Sequence, residues 1–397
     1  MKTKILHAEN GNALKGKLFF TLLWLLFSAA LCRLYLHQST SAMYDIPLWE
    51  SDMKPYILEM LGIEDGIFLP YPVLFKLGAL FHLFLSETAA MAAAVTVLHA
   101  LAILTAYYFI RKAVLSENSS LLRELAAAAL TVALFLVSML FDPRKMMYPI
   151  YVGVETPNPF HNATSVAAKP FALATFFTFC ALMERKDGPI EIKEAVAFAL
   201  SLLLCVMAKP SYPLVFLTAA GLTEAVRLIR YRFKNYKEAL TLLLCVLPSL
   251  LVMLYQNSAM QVAGSGGLGF GLGTVWKHYS DNIPLAVLKV TAFPLAVLIF
   301  NFRKLRENFA YRFAWFQFLA GFAENYFLYE KGERMLDGNF GWGYQYGIFF
   351  LFIESAIVLM NSDNIKMKKA VQWLVFGAHL LCGILYFRKV FLGGVYY

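Results

Sequence analysis

Apolar runs long enough to approach the thickness of a bilayer recur from one end of this chain to the other. They occupy residues 18–36, 89–110, 123–141, 165–183, 193–208, 212–229, 239–256, 284–301, 312–328, 343–360 and 370–387. A helix of ~20 apolar residues crosses a hydrocarbon core of ~30 Å. Only helices and closed barrels satisfy every backbone polar group inside lipid, and runs of this length are helical. Composition agrees: 59% of residues are hydrophobic and 15% charged, against about 25% charged in soluble chains. The expected fold is therefore an all-α integral membrane protein of about eleven transmembrane helices. We read residues 1–397 as a single polytopic membrane domain.

A further stretch, 67–85, is ambiguous, and the basic residues decide it. If 67–85 does not span, residues 38–88 form one long outer loop. Every basic cluster then falls on the inner side with Lys2, Lys4, Lys15 and Lys17: Arg111, Lys112 and Arg123; Arg185, Lys186 and Lys193; Arg227, Arg230, Arg232, Lys234 and Lys237; Arg303, Lys304, Arg306 and Arg312; Lys366, Lys368 and Lys369. Lysine and arginine favour cytoplasmic loops, so 67–85 reads as an interfacial helix on the outer face and the N-terminus as cytoplasmic. Arg388 and Lys389 fall on the opposite side. The outer loops are then 38–88, 142–164, 209–211, 257–283 and 329–342, and the inner ones are short and basic.

The net charge of +9 follows from those clusters and implies no nucleic-acid partner. The five cysteines lie in or beside apolar runs and form no CxxC pair, so they read as small packing residues. The N-terminal lysines followed by an apolar run lack a clean cleavage site, and the run reads as an uncleaved first helix.

The patterns that could carry chemistry map to the outer side. The first outer loop contains Trp49-Glu50-Ser51-Asp52. Two carboxylates one residue apart can share a metal ion or set a base beside a reacting hydroxyl. A first helix, a long outer loop opening on an E-x-D pair, and an interfacial stretch entered through Pro70-Tyr71-Pro72 together resemble the GT-C superfamily of membrane glycosyltransferases. The resemblance covers the first hundred residues by architecture and the rest by helix count and sidedness, and stands at the level of the superfamily. It implies a sugar donor linked through phosphate to a polyprenyl lipid. It also implies a catalytic role for Glu50 or Asp52 as general base, or as ligands of a divalent cation such as Mg or Mn, with Asp45 in reserve. The acceptor would be a cell-envelope glycan, lipid or protein.

Other outer residues suit such substrates. Arg144 and Lys145 could meet a lipid phosphate. His161 and Asn162 stand just before a helix, where Asn-Ala-Thr could cap it or bind a sugar or metal. Lys169 and Lys209, each followed by proline, sit near the outer surface, where they could contact phosphate or snorkel to the headgroups. The last large outer loop sets Arg334, Asn339 and Trp342 among glycines, near Glu324 and Asn325. Aromatic faces and amides are the usual sugar-recognition surfaces. The glycine-rich 264–273 stretch lacks a phosphate-loop ending and reads as a mobile loop.

Two other readings remain open. A transporter or lipid-linked glycan flippase would use midplane polar groups and broken helices. His99, Glu354, His379, Pro248 and Pro294 keep that reading in view. A glycan polymerase or ligase would instead work through a late outer loop such as 329–342.

Overall fold

The computed structural model describes residues 2–63, 69–116, 119–142, 152–185, 190–262 and 267–394. Arg144 and Lys145 lie outside them. The described chain is almost wholly helical. In order come α1 (Lys2–Met43), α2 (Met53–Leu61), α3 (Pro72–His82), α4 (Glu87–Val114), α5 (Leu121–Leu134), α6 (Val152–Glu155), α7 (Ala163–Glu184) and α8 (Ile192–Ala208). There follow α9 (Ser211–Arg230), α10 (Tyr236–Val262), α11 (Trp276–Tyr279), α12 (Ile283–Phe300), α13 (Lys304–Glu307), α14 (Phe309–Phe327), α15 (Asn339–Met360) and α16 (Lys366–Phe391). Two short strands, β1 (Leu268–Phe270) and β2 (Leu328–Glu330), pair antiparallel.

Eight helices among the described residues are long and apolar enough to cross a membrane: α1, α4, α7, α9, α10, α12, α15 and α16. Three expected spans fall short of that standard, for different reasons. α8 has 17 residues, or about 25 Å at 1.5 Å per residue. α14 is long enough at 19 residues, but Arg312, Gln317, Glu324 and Asn325 interrupt its apolar character.

α5 stops after 14 residues, although the apolar run continues to 141. Beyond Leu134 the chain leaves the helix and residues 137–142 run without regular structure between α12 and α16. Asn158 Nδ2 donates to the freed carbonyls of Leu134 (2.9 Å) and Val137 (3.0 Å). Ser138 N–H donates to His379 O at 3.2 Å, and Leu140 N–H to Lys289 O at 3.1 Å. His379 Nδ1 lies 2.7 Å from Ser138 O, while Phe293 N–H donates to its Nε2; this pattern places the ring proton on Nδ1. Inside a bilayer, non-helical backbone is tolerable only where protein satisfies it. The strip also sits very close to α16: a Cβ at Gly383 would lie 1.7 Å from Leu136 O.

The centre of the bundle is α15, whose apolar stretch is 94% buried. It packs closely against α14 because glycines face backbone: a Cβ at Gly321 would meet Tyr344 Cα at 2.9 Å, and one at Gly347 would meet Phe318 Cα at 2.9 Å. Small residues bring helix backbones together where water supplies no driving force.

Side-chain contacts sort the helix ends into two groups. At one end Arg111 pairs with Glu124 at 3.1 Å and Arg123 bonds Asn361. There, too, Arg185 pairs with Glu191 and Glu194, Arg227 with Glu238, and Phe309 N–H meets Glu184. The other end gathers the C-termini of α1, α8, α10, α14 and α16 with the N-termini of α7, α9, α12 and α15. The basic clusters thus segregate from the face that carries α2 and α3. α3 has 11 residues, about 16 Å, too short to cross a bilayer core alone.

Candidate active site

A cavity of about 720 Å³ opens at the end away from the basic clusters. Its polar wall comes from separated parts of the chain, among them the first loop and α2, the turn from residue 161 into α7 with Lys209 nearby, and the 324–345 region, and residues of α9, α10 and α11 complete it. Asp52, His161, Asn162, Lys209, Arg334, Asn339 and Trp342 all line it.

The core of the site is a relay through one amide. Asn162 is the N-cap of α7, and its Oδ1 accepts from Ser165 N–H at 2.9 Å. The same oxygen accepts from Lys209 Nζ at 2.8 Å and from Thr164 Oγ1 at 2.9 Å. Its Nδ2 donates to Asp52 Oδ2 at 2.7 Å and to Tyr56 OH at 2.9 Å. Capping and site organisation are therefore one feature, because the cap holds the amide with its donor edge toward Asp52. Asp52 itself starts α2, and its N–H donates to His161 O at 3.1 Å. Lys209 leaves the end of α8 in an extended conformation, φ −169°, just before a proline that cannot continue the α8 ladder.

Aromatic rings complete this wall. The Lys209 ammonium lies 4.4 Å from the Trp342 ring centroid, a cation–π distance, and the His161 and Trp342 rings are 5.5 Å apart. Across the cavity Arg334 Nε donates to Asp337 Oδ2 at 2.8 Å, and Asn339 Nδ2 to Glu330 Oε2 at 2.8 Å. Glu324 accepts from Thr218 at 3.0 Å.

Enclosure perturbs the charges. Burial raises the Asp52 carboxyl above its ordinary value, opposed by the Asn162 hydrogen bond and by Lys209, with Asp337 adding to the rise. Burial pulls Lys209 down to about 7, against the attraction of Asp52. His161 is pulled down to about 3 by burial and by Lys209, so its ring is neutral at pH 7. Burial, and next the neighbouring Asp52, raise Tyr56 well above the usual phenol range. Tyr71 rises to about 12, chiefly through burial. Strongly shifted groups facing one cleft are a mark of functional sites.

The cavity has an apolar flank. Leu214 of α9 and Leu250, Met253 and Leu254 of α10 line it, and Leu254 also keeps 65% of its surface outward. Gln256 fastens this flank to the first loop by donating to Pro70 O at 2.8 Å and Val206 O at 3.1 Å.

Two sequence candidates lie elsewhere. Glu50 does not line the cavity; it falls within electrostatic reach of Lys389 near the end of α16, where Trp49 also bonds Phe391 O. Lys169 is buried two turns below Asn162. Its Nζ donates to Asn158 Oδ1 at 2.7 Å and Pro157 O at 3.1 Å and lies 4.3 Å from the Phe349 ring centroid. It steadies the segment leading to His161 and does not face the cavity. The reserve residue Asp45 is exposed and pairs with Lys54.

Among the described residues no three His, Cys, Asp or Glu side chains converge as a metal site. Asp52 takes an amide donor and neighbours an ammonium, while Glu50 does not line the cavity and lies within electrostatic reach of Lys389. These residues do not fit a divalent cation held between Glu50 and Asp52. Sequence reasoning did not single out Tyr56, Thr164, Glu330, Asp337 or Gln256 as site residues. Tyr56 carried a usable signal, lying one helical turn after Asp52.

A scan against protein-family models finds no match to this chain, and a search of curated proteins finds none either.

Proposed function

We propose that the chain is a multi-pass cell-membrane glycosyltransferase of GT-C type, moving a sugar from a polyprenyl-phosphate donor to a cell-envelope acceptor on the extracytoplasmic face. The observation that carries this reading is the composition of one cavity. A half-buried carboxylate, Asp52, and two cations, Lys209 and Arg334, share it with an aromatic and amide wall and with an apolar flank reaching the outward face of α10. A lipid tail suits the flank, a phosphate suits the cations, and a sugar suits Trp342, Asn339 and Asn162.

In this reading α5, α8 and α14 complete eleven crossings, the basic end faces the cytoplasm with the N-terminus, and α2 and α3 lie along the outer surface. The acceptor hydroxyl gives its proton to Asp52, whose raised affinity for protons suits a general base. The acceptor oxygen bonds to the anomeric carbon as the bond from that carbon to the phosphate oxygen breaks. The electron pair leaves on the polyprenyl phosphate, where Lys209 and Arg334 meet the charge. No step requires a metal ion.

The test is transfer by the purified chain in liposomes, using polyprenyl-phosphate sugars and an envelope-derived acceptor mixture. Time-dependent release of polyprenyl phosphate, abolished in Asp52→Asn, supports the proposal. Undiminished release in that variant removes Asp52 as the base. Vectorial movement of the lipid-linked sugar without cleavage would assign the cavity to a flippase.

A further inference from the structure

The β ribbon at the rim of the cavity presents an apolar edge that no other described part of the chain covers. Along residues 268–272 exposure alternates with the two-residue period of a strand. Leu268, Phe270 and Leu272 keep 61%, 72% and 57% of their surface outward. The intervening glycines face inward beneath a ring, and a Cβ at Gly269 would lie 2.4 Å from Tyr329 Cζ. Tyr329 belongs to β2, so a larger residue at Gly269 would push its ring aside and disturb the pairing of the two strands, whereas Leu268, Phe270 and Leu272 stay exposed.

The ribbon is firmly tied. Beyond the register Leu268↔Glu330, Gly269↔Tyr329 and Phe270↔Leu328, Lys331 N–H donates to Gly267 O at 2.8 Å, Gly271 N–H to Phe327 O at 2.9 Å and Gly273 N–H to Tyr326 O at 2.6 Å. The Phe270 and Phe327 rings stack 5.6 Å apart and nearly parallel. An apolar edge held this firmly is a surface rather than a frayed loop.

We propose that Leu268, Phe270 and Leu272 insert into the outer leaflet of the bilayer and hold the cavity mouth at the lipid surface. Continuity favours lipid as the occupant. In sequence the edge lies close after α10, a candidate span whose Leu251, Leu254 and Tyr255, near its end, are exposed at 59%, 65% and 66%. It is also joined to α14 through Phe327. Leu268 stands opposite Glu330, which lines the cavity and accepts from Asn339, so the apolar edge runs up to the polar rim. A lipid-borne substrate would reach that rim without leaving the interface. The inference rests on the membrane class of the chain and stands apart from the chemistry proposed for Asp52.

Spin labels test it. In a Cys32→Ala background reconstituted in phosphatidylethanolamine–phosphatidylglycerol liposomes, Leu268→Cys, Phe270→Cys and Leu272→Cys are labelled singly, with Lys331→Cys as the aqueous reference. The expected result is more collision with oxygen than with a nickel chelate at 268, 270 and 272, and the reverse at 331. Nickel access at 270 equal to that at 331 overturns the proposal. So does low access to both reagents at all three positions, which would mean that protein, such as a second copy, covers the edge. Hydroxyl-radical footprinting of the unsubstituted chain gives an independent reading. Leu336, exposed near the mouth, should oxidise while Phe270 is protected; equal oxidation of the two overturns the inference.

Discussion

The Lys209 ammonium and the Asp52 carboxylate contact the same amide from opposite edges: Asn162 accepts from Lys209 at 2.8 Å and donates to Asp52 at 2.7 Å. Each charge polarises the amide in the sense that strengthens the other hydrogen bond. The pair thereby interacts without a direct ion pair, leaving the faces of both groups that line the cavity for a substrate. Four consequences can be measured.

Asp52 and Glu50 should separate sharply despite their proximity in sequence. If Asp52 is the base, Asp52→Asn should lower transfer by about 10²–10⁴-fold, the usual contribution of general acid–base catalysis. Glu50→Gln should stay within a few-fold of the parent, because Glu50 does not line the cavity. Initial rates in membranes normalised to expression decide it, and equal loss in both variants would mean that the triplet acts as a unit.

Activity should follow a bell-shaped pH profile whose alkaline limb falls near pH 7. Asp52 must lose a proton to act, so the rate rises with pH through its raised value. Lys209 must keep its proton to hold phosphate, so the rate falls as pH passes about 7. Lys209→Arg should move the alkaline limb upward, since guanidinium stays charged. An unmoved limb would remove Lys209 as its source. Linkage gives a separate sign for this lysine: its native value lies below the ordinary one, so between about pH 7 and its ordinary value of 10.5 the unfolded chain binds more protons. Its contribution to stability therefore rises with pH across that window.

Asn162→Ala should impair the protein in two ways. Loss of the cap on α7 should cost about 1 kcal/mol. Loss of the bridge should lower turnover further, because Asp52 and Lys209 no longer share an orienting partner. Asn162→Asp should preserve the cap but place a second carboxylate against Asp52, raising its proton affinity and shifting the acidic limb of the profile upward. Thermal unfolding and pH–rate curves of the two variants separate the roles; an unshifted acidic limb in Asn162→Asp would argue against the bridge.

Lys169 should behave as a structural residue. Lys169→Met leaves Asn158 Oδ1 and Pro157 O without their donor, at a cost of about 1–3 kcal/mol for an unsatisfied buried acceptor. The variant should unfold at lower temperature while the folded fraction binds donor with unchanged affinity. A weakened donor affinity at full stability would restore the phosphate role that its position near the outer surface suggested.

Hydropathy located the helices because apolar length is a local property; charge segregation separated their ends for a similar reason. α5 departs from that pattern because the apolar run 123–141 contains both a helix and a strip whose backbone partners, such as Lys289 and His379, lie far along the chain. No local period records such partners. In the site, Asp52, His161, Asn162, Lys209, Arg334, Asn339 and Trp342 could be picked out as polar or aromatic residues at one set of helix ends. Their convergence on one cavity, and the meeting of Asp52 and Lys209 at Asn162, could not, because these depend on the cap geometry and on contacts across more than forty residues. Lys169 lies deeper than its place just before a proline suggests. Seven residues beyond Asn162 amount to about 10 Å along a helix, enough to take it from the mouth to the interior. The inward turn of Asp52 relative to Glu50 comes from the start of α2, which a two-carboxylate spacing does not encode.

The strip at 137–142 has a consequence for biogenesis. Ser138 and His379 are 241 positions apart, so at synthesis rates of about 5–20 residues per second the strip waits on the order of 10–50 s for its partner. Until α16 arrives, the Ser138 amide must be tended by water, by lipid headgroups or by the insertion machinery, while Leu140 can already pair with Lys289 of α12. The last helix therefore acts as a closing key for the middle of the bundle. Chains ending before residue 366 should show rapid amide exchange at Ser138, whose partner His379 they lack, and slower exchange at Leu140, whose partner Lys289 they keep; slow exchange at Ser138 would dispense with the key.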